Sequence, residues 1–179
     1  MTPFKSVVVV KQPLAAVWVT IRDRMPAIAE MLEDIEGVSV VSREEPAAGI
    51  VNLVNEWRVT PALPLPDVIM NRGTLGWMDH ATWTDADRTC RWAIHTMFLP
   101  GKIRCSGATS YEPAMAGRGS RVTFSGGIEL QDALPLGGLL GRATISVVES
   151  VVTTVVPRNF RKTVEAAVRL IELETTLAG

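Results

Sequence analysis

The sequence predicts an α+β domain: a curved antiparallel sheet of about seven strands, a long C-terminal helix laid across one face, and two short helices after the first strand. Three observations predict it. Between residues 38 and 130, apolar residues recur with a period of two in six stretches joined by short polar or glycine-bearing connections. From Leu139 onward the apolar period returns to that of a helix. Pro13 and Pro26 open two brief helical patterns directly after a β-branched opening run.

Each element has its own reason. Residues 4–11 are valine-rich and read as a strand. In 14–24, Leu14, Val17, Trp18 and Ile21 fall at i, i+3, i+4 and i+7, which is one helical stripe. Ile28, Met31 and Leu32 line a second, shorter helix. After Gly37 come strands at 38–43 and 50–59, separated by the turn EEPAAG. Strands 74–84 and 89–98 flank the polar turn 85–88. The turn LPGK leads to strand 103–112, and a glycine-bearing turn at 114–119 leads to strand 120–130. Hairpin-length connections make neighbouring strands antiparallel. The stretch 60–73, TPALPLPDVIMNRG, carries three prolines that deny it helix or central-strand geometry. It reads as a long loop inside one domain spanning 1–179, and as a candidate lid. Towards the C-terminus, Ile145, Val148, Val152, Val155 and Val156 form one stripe. Phe160, Val164, Ala167, Val168 and Ile171 form another, with Pro157 between them to kink or restart the helix.

Composition narrows the class. The chain has 179 residues and a formal net charge of −1, with 47% hydrophobic and 21% charged residues. That is too apolar and too neutral for a disordered chain. It has no basic run for nucleic acid. Two cysteines, Cys90 and Cys105, are too few for a disulfide framework. The opening MTPFKSVVVVKQP has no small-residue cleavage site and reads as strand. The greasy stretch 133–156 is interrupted by Arg142 and Glu149, so no stable membrane insertion is expected. The expectation is a soluble, cytoplasmic protein. Its oligomeric state is not readable from the sequence.

Strand alternation assigns faces. Asn55 and Trp57 share a face with Val51, Leu53 and Val59. If the 85–88 loop holds an even number of residues, Trp83 lies opposite Cys90 and Asp79 opposite Ile94. Trp77, Asp79, Ala81 and Trp83 then face inward with Cys90, Trp92, Ile94 and Thr96. Ile103, Cys105, Gly107, Thr109 and Tyr111 follow on the next strand, and Val122, Phe124, Gly126 and Ile128 on the last. The interior so assigned mixes tryptophans with Asn55, Thr96, Thr109, a thiol, the Tyr111 hydroxyl and one carboxylate. Two readings fit. One is a solid core with a few hydrogen-bonded polar groups. The other is a cavity with apolar walls and convergent polar groups.

A family resemblance favours the cavity. The stretch PLAAVWVTIRDRMPAIAEMLEDIEGVSVV (13–41) resembles the start of START-like (SRPBCC) proteins, the helix-grip fold of the birch pollen allergen. There a small residue and Val-Trp open the first helix. YEPAMAGRGSRVTFSG (111–126) is similar to that family's late hairpin, and the long amphipathic end helix fits as well. Bacterial members resembling this chain are grouped as polyketide cyclase/dehydrase or lipid-transport proteins. The resemblance implies a tunnel between sheet and long helix that holds a hydrophobic small molecule or lipid. Its expected lining is Asn55, Trp57, Trp77, Asp79, Trp92, Thr96, Cys105, Thr109 and Tyr111 from the sheet. Ile145, Val148 and Val152 would come from the helix. Pro157 and the early glycines depart from the family's smooth helix. No universal catalytic motif exists to carry across.

Chemistry beyond binding rests on few residues. His80 and His95 are the only histidines and are expected on the outer face as near-neighbours. A bulge at 85–88 would instead turn His95 inward as a general acid/base. Two histidines make a poor metal site, so no metal and no cofactor are expected. Asp79 on a greasy face must be salt-bridged, at the cavity mouth, or a raised-pKa acid. The leading expectation is a non-catalytic binder or carrier. The alternative is a polyketide cyclase/dehydratase-type enzyme with Asp79 and Tyr111 as acid/base groups.

Overall fold

The computed structural model describes residues 1–59, 75–97, 100–130 and 156–177. Its elements run β1 (Thr2–Val10), α1 (Leu14–Asp23), α2 (Met25–Ala29), β2 (Ile35–Ala47), β3 (Ile50–Val59), β4 (Gly76–Thr84) and β5 (Thr89–Thr96). Then follow β6 (Ile103–Ala114), a 3-10 turn at Met115–Gly117, β7 (Gly119–Leu130) and α3 (Val156–Leu177). The candidate lid at 60–73 lies outside the described residues. So does the helical stripe of Ile145, Val148 and Val152.

The seven strands form one antiparallel sheet in the order β1-β7-β6-β5-β4-β3-β2. Consecutive strands β1 and β2 therefore occupy opposite edges, and α1 and α2 carry the chain between them. Pro13 precedes α1 and Pro26 lies in the first turn of α2, as expected of a residue without an N–H. Pro157 is the second described residue of α3, so the kink or restart expected there falls against residues outside those described.

The hairpins have the expected registers. Thr84 pairs with Thr89 across the four-residue turn, which sets Trp83 opposite Cys90 and Asp79 opposite Ile94. Strand β2 is longer than the sequence pattern suggests. It continues through Glu44 and Glu45 to Ala47, leaving Ala48 and Gly49 to turn the chain. Gly49 adopts φ +75°, which a residue with a side chain rarely adopts, so a tight turn suffices. Pro46 is tolerated because β2 is an edge strand with a register shift between Glu44 and Ala47.

The core lies on the concave face. Helix α1 buries Val17, Trp18, Thr20 and Ile21, and α3 buries Val164, Ala166, Ala167 and Leu170. α3 packs on α1, α2 and β1. Ion pairs Lys162–Asp34 (2.6 Å) and Arg24–Glu174 (2.7 Å) tether its flank. Both are surface pairs worth about 0–1 kcal/mol, so apolar burial sets the position of α3.

Candidate functional site

Register sorts the inward side chains of β3 to β6 into layers. The first contains Trp57, Trp77 and Thr96, the second Asn55, Asp79, Ile94 and Cys105. The third contains Leu53, Ala81, Trp92 and Gly107, and the fourth Val51, Trp83, Cys90 and Thr109.

The fourth layer and its surroundings are packed solid. Trp18 is fully buried, and its ring meets Trp83 and Tyr111 edge-on, each at 5.0 Å between centroids. Its Nε1 donates to Asp85 Oδ1 at 2.8 Å, and Arg22 donates to the same oxygen at 3.2 Å. The Arg88 guanidinium covers the Trp18 ring from 5.2 Å. This network closes one end of the interior.

The third layer is also filled. Trp92 stacks on Phe124 (4.7 Å), which stacks on Phe160 of α3 (4.5 Å). The indole lies across Gly107 and Gly126, where any Cβ would meet it at 2.6 Å. Its Nε1 donates to Thr109 Oγ1 at 3.2 Å. Trp92 thus spends its only donor on the Thr109 hydroxyl, which accepts it.

The first two layers differ. Among the described residues, four buried polar atoms of this interior have no hydrogen-bond partner: Asn55 Oδ1, Trp57 Nε1, Thr96 Oγ1 and, deeper, Trp83 Nε1. Three of the four lie in the two layers around Asp79. Leaving such an atom unpaired costs roughly 1–3 kcal/mol, so a group of three calls for an explanation. Asn55 is directly opposite Asp79 and Trp57 directly opposite Trp77. The two indoles stack at 5.4 Å with an interplanar angle of 16°. Beside them the β3 and β4 backbones come close at Gly76, where a Cβ would collide with the Trp57 carbonyl oxygen.

Asp79 has no salt-bridge partner among the described residues. Burial pushes its carboxyl up to about 7. Yet the residue is only half-buried by accessible surface. Its carboxyl is thus desolvated without the residue being fully shut off from solvent. Burial first, and Asp79 second, push Cys105 up to about 11, and the same two causes hold Cys90 well above the ordinary thiol range. Tyr111 is raised by burial first, then by Cys90 and Asp79. All three are neutral at physiological pH. Tyr111 belongs to the Trp18 cluster and makes no hydrogen bond to Asp79. Tyr111 lies six positions along β6 from Cys105, which is in Asp79's own layer.

His80 and His95 are exposed on the outer face, 4.8 Å apart between ring centroids. The 85–88 turn shifts no register, so His95 is not turned inward. Among the described residues no group of three metal-ligating side chains converges. Among them, too, no helix is long and apolar enough to cross a membrane. Two features were not singled out from the sequence: the unpaired Trp83 Nε1, and the Trp18–Asp85 plug. Alternation did place Trp83 inward, but a contact between α1 and the 85–88 turn has no one-dimensional signal.

No protein-family model and no curated protein matches the sequence. Solved structures do match. The chain is similar to the Zhui aromatase/cyclase of Streptomyces sp. R1128, with TM-score 0.68 and 18% identity, over 99% of this chain and 97% of that one. It is similar to Ara h 8.0201 with TM-score 0.60 and 14% identity, over 94% and 96%. A START superfamily protein from Mycobacterium smegmatis matches with TM-score 0.51 and 11% identity, over 92% and 98%. At these identities the likeness carries the architecture and nothing finer. Together with the strand order and the helices that flank it, the comparisons show that this chain has the START-like (SRPBCC) helix-grip fold.

Proposed function

We propose that the protein binds a hydrophobic small molecule or lipid in the interior beside Asp79, with Trp92 as floor and the Trp57–Trp77 pair as wall. The observation that carries this reading is the group of unpaired polar atoms, Asn55 Oδ1, Trp57 Nε1 and Thr96 Oγ1, around an accessible carboxyl. Apolar walls with a few convergent polar groups are the usual make-up of a ligand site. Cys105 contributes an apolar contact, and Thr109 and Tyr111 act through packing. The near-neutral chain suits a ligand held mainly by burial. The test is native mass spectrometry of freshly purified protein, with organic extraction of the same sample. A bound hydrophobic species that extraction removes is the expected result. Bare protein that also fails to enhance the fluorescence of an apolar dye refutes the reading.

A second reading is cyclase or dehydratase chemistry on a polyketide-like chain. One observation favours it: a carboxyl titrating at about 7 inside the interior can both give and take a proton near neutral pH. One of the structural neighbours carries the name aromatase/cyclase. Here Asp79 would be the acid/base group and Tyr111 a neutral phenol deeper in the interior. Asp79→Asn that leaves turnover of a confirmed substrate intact refutes it.

A further inference from the structure

We infer that the ligand's polar group is a hydroxyl, an alcohol or phenol, and that Asp79 makes the site reject the corresponding carboxylate. This rests on the binding reading above and names the ligand chemistry for the same site. The unpaired atoms differ in kind. Trp57 Nε1 is a donor only, Asn55 Oδ1 is an acceptor only, and the Thr96 hydroxyl is both. A carboxylate offers acceptors only. It could meet Trp57 and Thr96, but would leave Asn55 Oδ1 unpaired and set a second negative group beside Asp79. An ammonium offers donors only and would leave Trp57 Nε1 unpaired. A hydroxyl both donates and accepts, so one group can accept a hydrogen bond from Trp57 Nε1–H and donate one to Asn55 Oδ1 or Asp79.

The surroundings point the same way. The inward residues of β3, β4, β5 and β6 include no Lys or Arg to hold an anion. The buried residues of α1 and α3 are Thr20 and apolar side chains. Arg58 lies on the exposed side of β3 and pairs with Glu56 at 2.8 Å. The titratable groups that share the interior with Asp79 are Cys90, Cys105 and Tyr111, all held in their neutral forms near neutral pH. His80 and His95 are on the opposite face. Above about pH 7 Asp79 is therefore the one charge among the described inward groups.

The experiment uses matched probes that differ only in this group: 1-pyrenebutanol against 1-pyrenebutyrate, and dodecanol against dodecanoate for a slender cavity. Binding is read by tryptophan fluorescence at about pH 8. The wild type is expected to prefer the alcohol by roughly ten-fold or more, since like charges at close quarters are strongly disfavoured. Asp79→Asn is expected to shrink that ratio at least three-fold, chiefly by improving the acid. In wild type the ratio is also expected to narrow at about pH 5.5, which needs no variant. Trp57→Phe keeps the ring but removes the donor, and is expected to weaken the alcohol about five-fold. Equal affinities, a preference for the acid, or a preference untouched by Asp79→Asn and by pH each overturn the inference while leaving the binding site intact. Failure of all four probes to bind overturns the cavity reading and the inference with it.

Discussion

Replacing Asp79 with Asn tests the electrostatics of the interior even without a ligand. Asn keeps the shape and hydrogen-bonding capacity of the side chain but cannot ionise. In the fold, burial raises the carboxyl from 3.8 to about 7. Between those values the folded chain holds a proton that the unfolded chain has released. Stability falls with rising pH wherever the folded state binds more protons. The contribution of Asp79 is therefore fully present below 3.8, declines as pH climbs towards 7, and is gone above it. Each pH step inside that window is worth up to about 1.36 kcal/mol, so the loss from about pH 5 to about pH 8 is at most roughly 2.5 kcal/mol. The accessible part of the carboxyl lets solvent screen it, which brings the expected loss to roughly 1.5–2.5 kcal/mol. The assay is urea unfolding of both proteins across that range. Subtracting one from the other removes His80, His95 and every carboxylate the two proteins share. The difference is expected to move in the variant's favour by about 2 kcal/mol as pH rises. A difference that stays flat from pH 5 to pH 8 refutes the placement of Asp79 in a desolvated interior.

Three further substitutions probe the packed half. Gly107→Ala would drive a Cβ into the Ser125 carbonyl oxygen and to 2.6 Å from Trp92 Cζ2, so about 3 kcal/mol should be lost, read as a fall of several degrees in Tm. Thr109→Val strands the Trp92 Nε1 proton and should cost about 1–3 kcal/mol in urea unfolding, with Thr109→Ser restoring most of it. Trp18→Phe removes the donor to Asp85 and should cost about 1.5–3 kcal/mol, with a loss of near-UV circular dichroism from the Trp18–Trp83–Tyr111 cluster. An unchanged unfolding midpoint in any of the three contradicts the contact it removes.

Much of this was legible in one dimension because strands alternate. Once the 85–88 turn is even, the facing of Trp77, Asp79, Trp83, Trp92 and Thr96 follows from parity alone. Parity does not reveal depth. It put Trp92, Thr109 and Asp79 on one face without showing that Trp92 donates to Thr109 while Asp79 lies beside unpaired atoms. That distinction depends on which layers the aromatics of β1, β7 and α3 fill. Phe4, Phe124 and Phe160 come together only in the fold. The length of β2 was misjudged for a related reason. Glu44, Glu45 and Pro46 look like turn residues until one knows that β2 is an edge strand.

The Trp18 plug has a kinetic consequence. On the proposed reading, an indole that Asp85, Arg22 and Arg88 hold in place bars a guest at Asp79 from the Trp18 end. Where such a guest enters and leaves by one passage, arrival and departure share one bottleneck. A substitution that narrows or widens this bottleneck changes both rates together and leaves affinity nearly constant, whereas one beside Asp79 changes residence time alone.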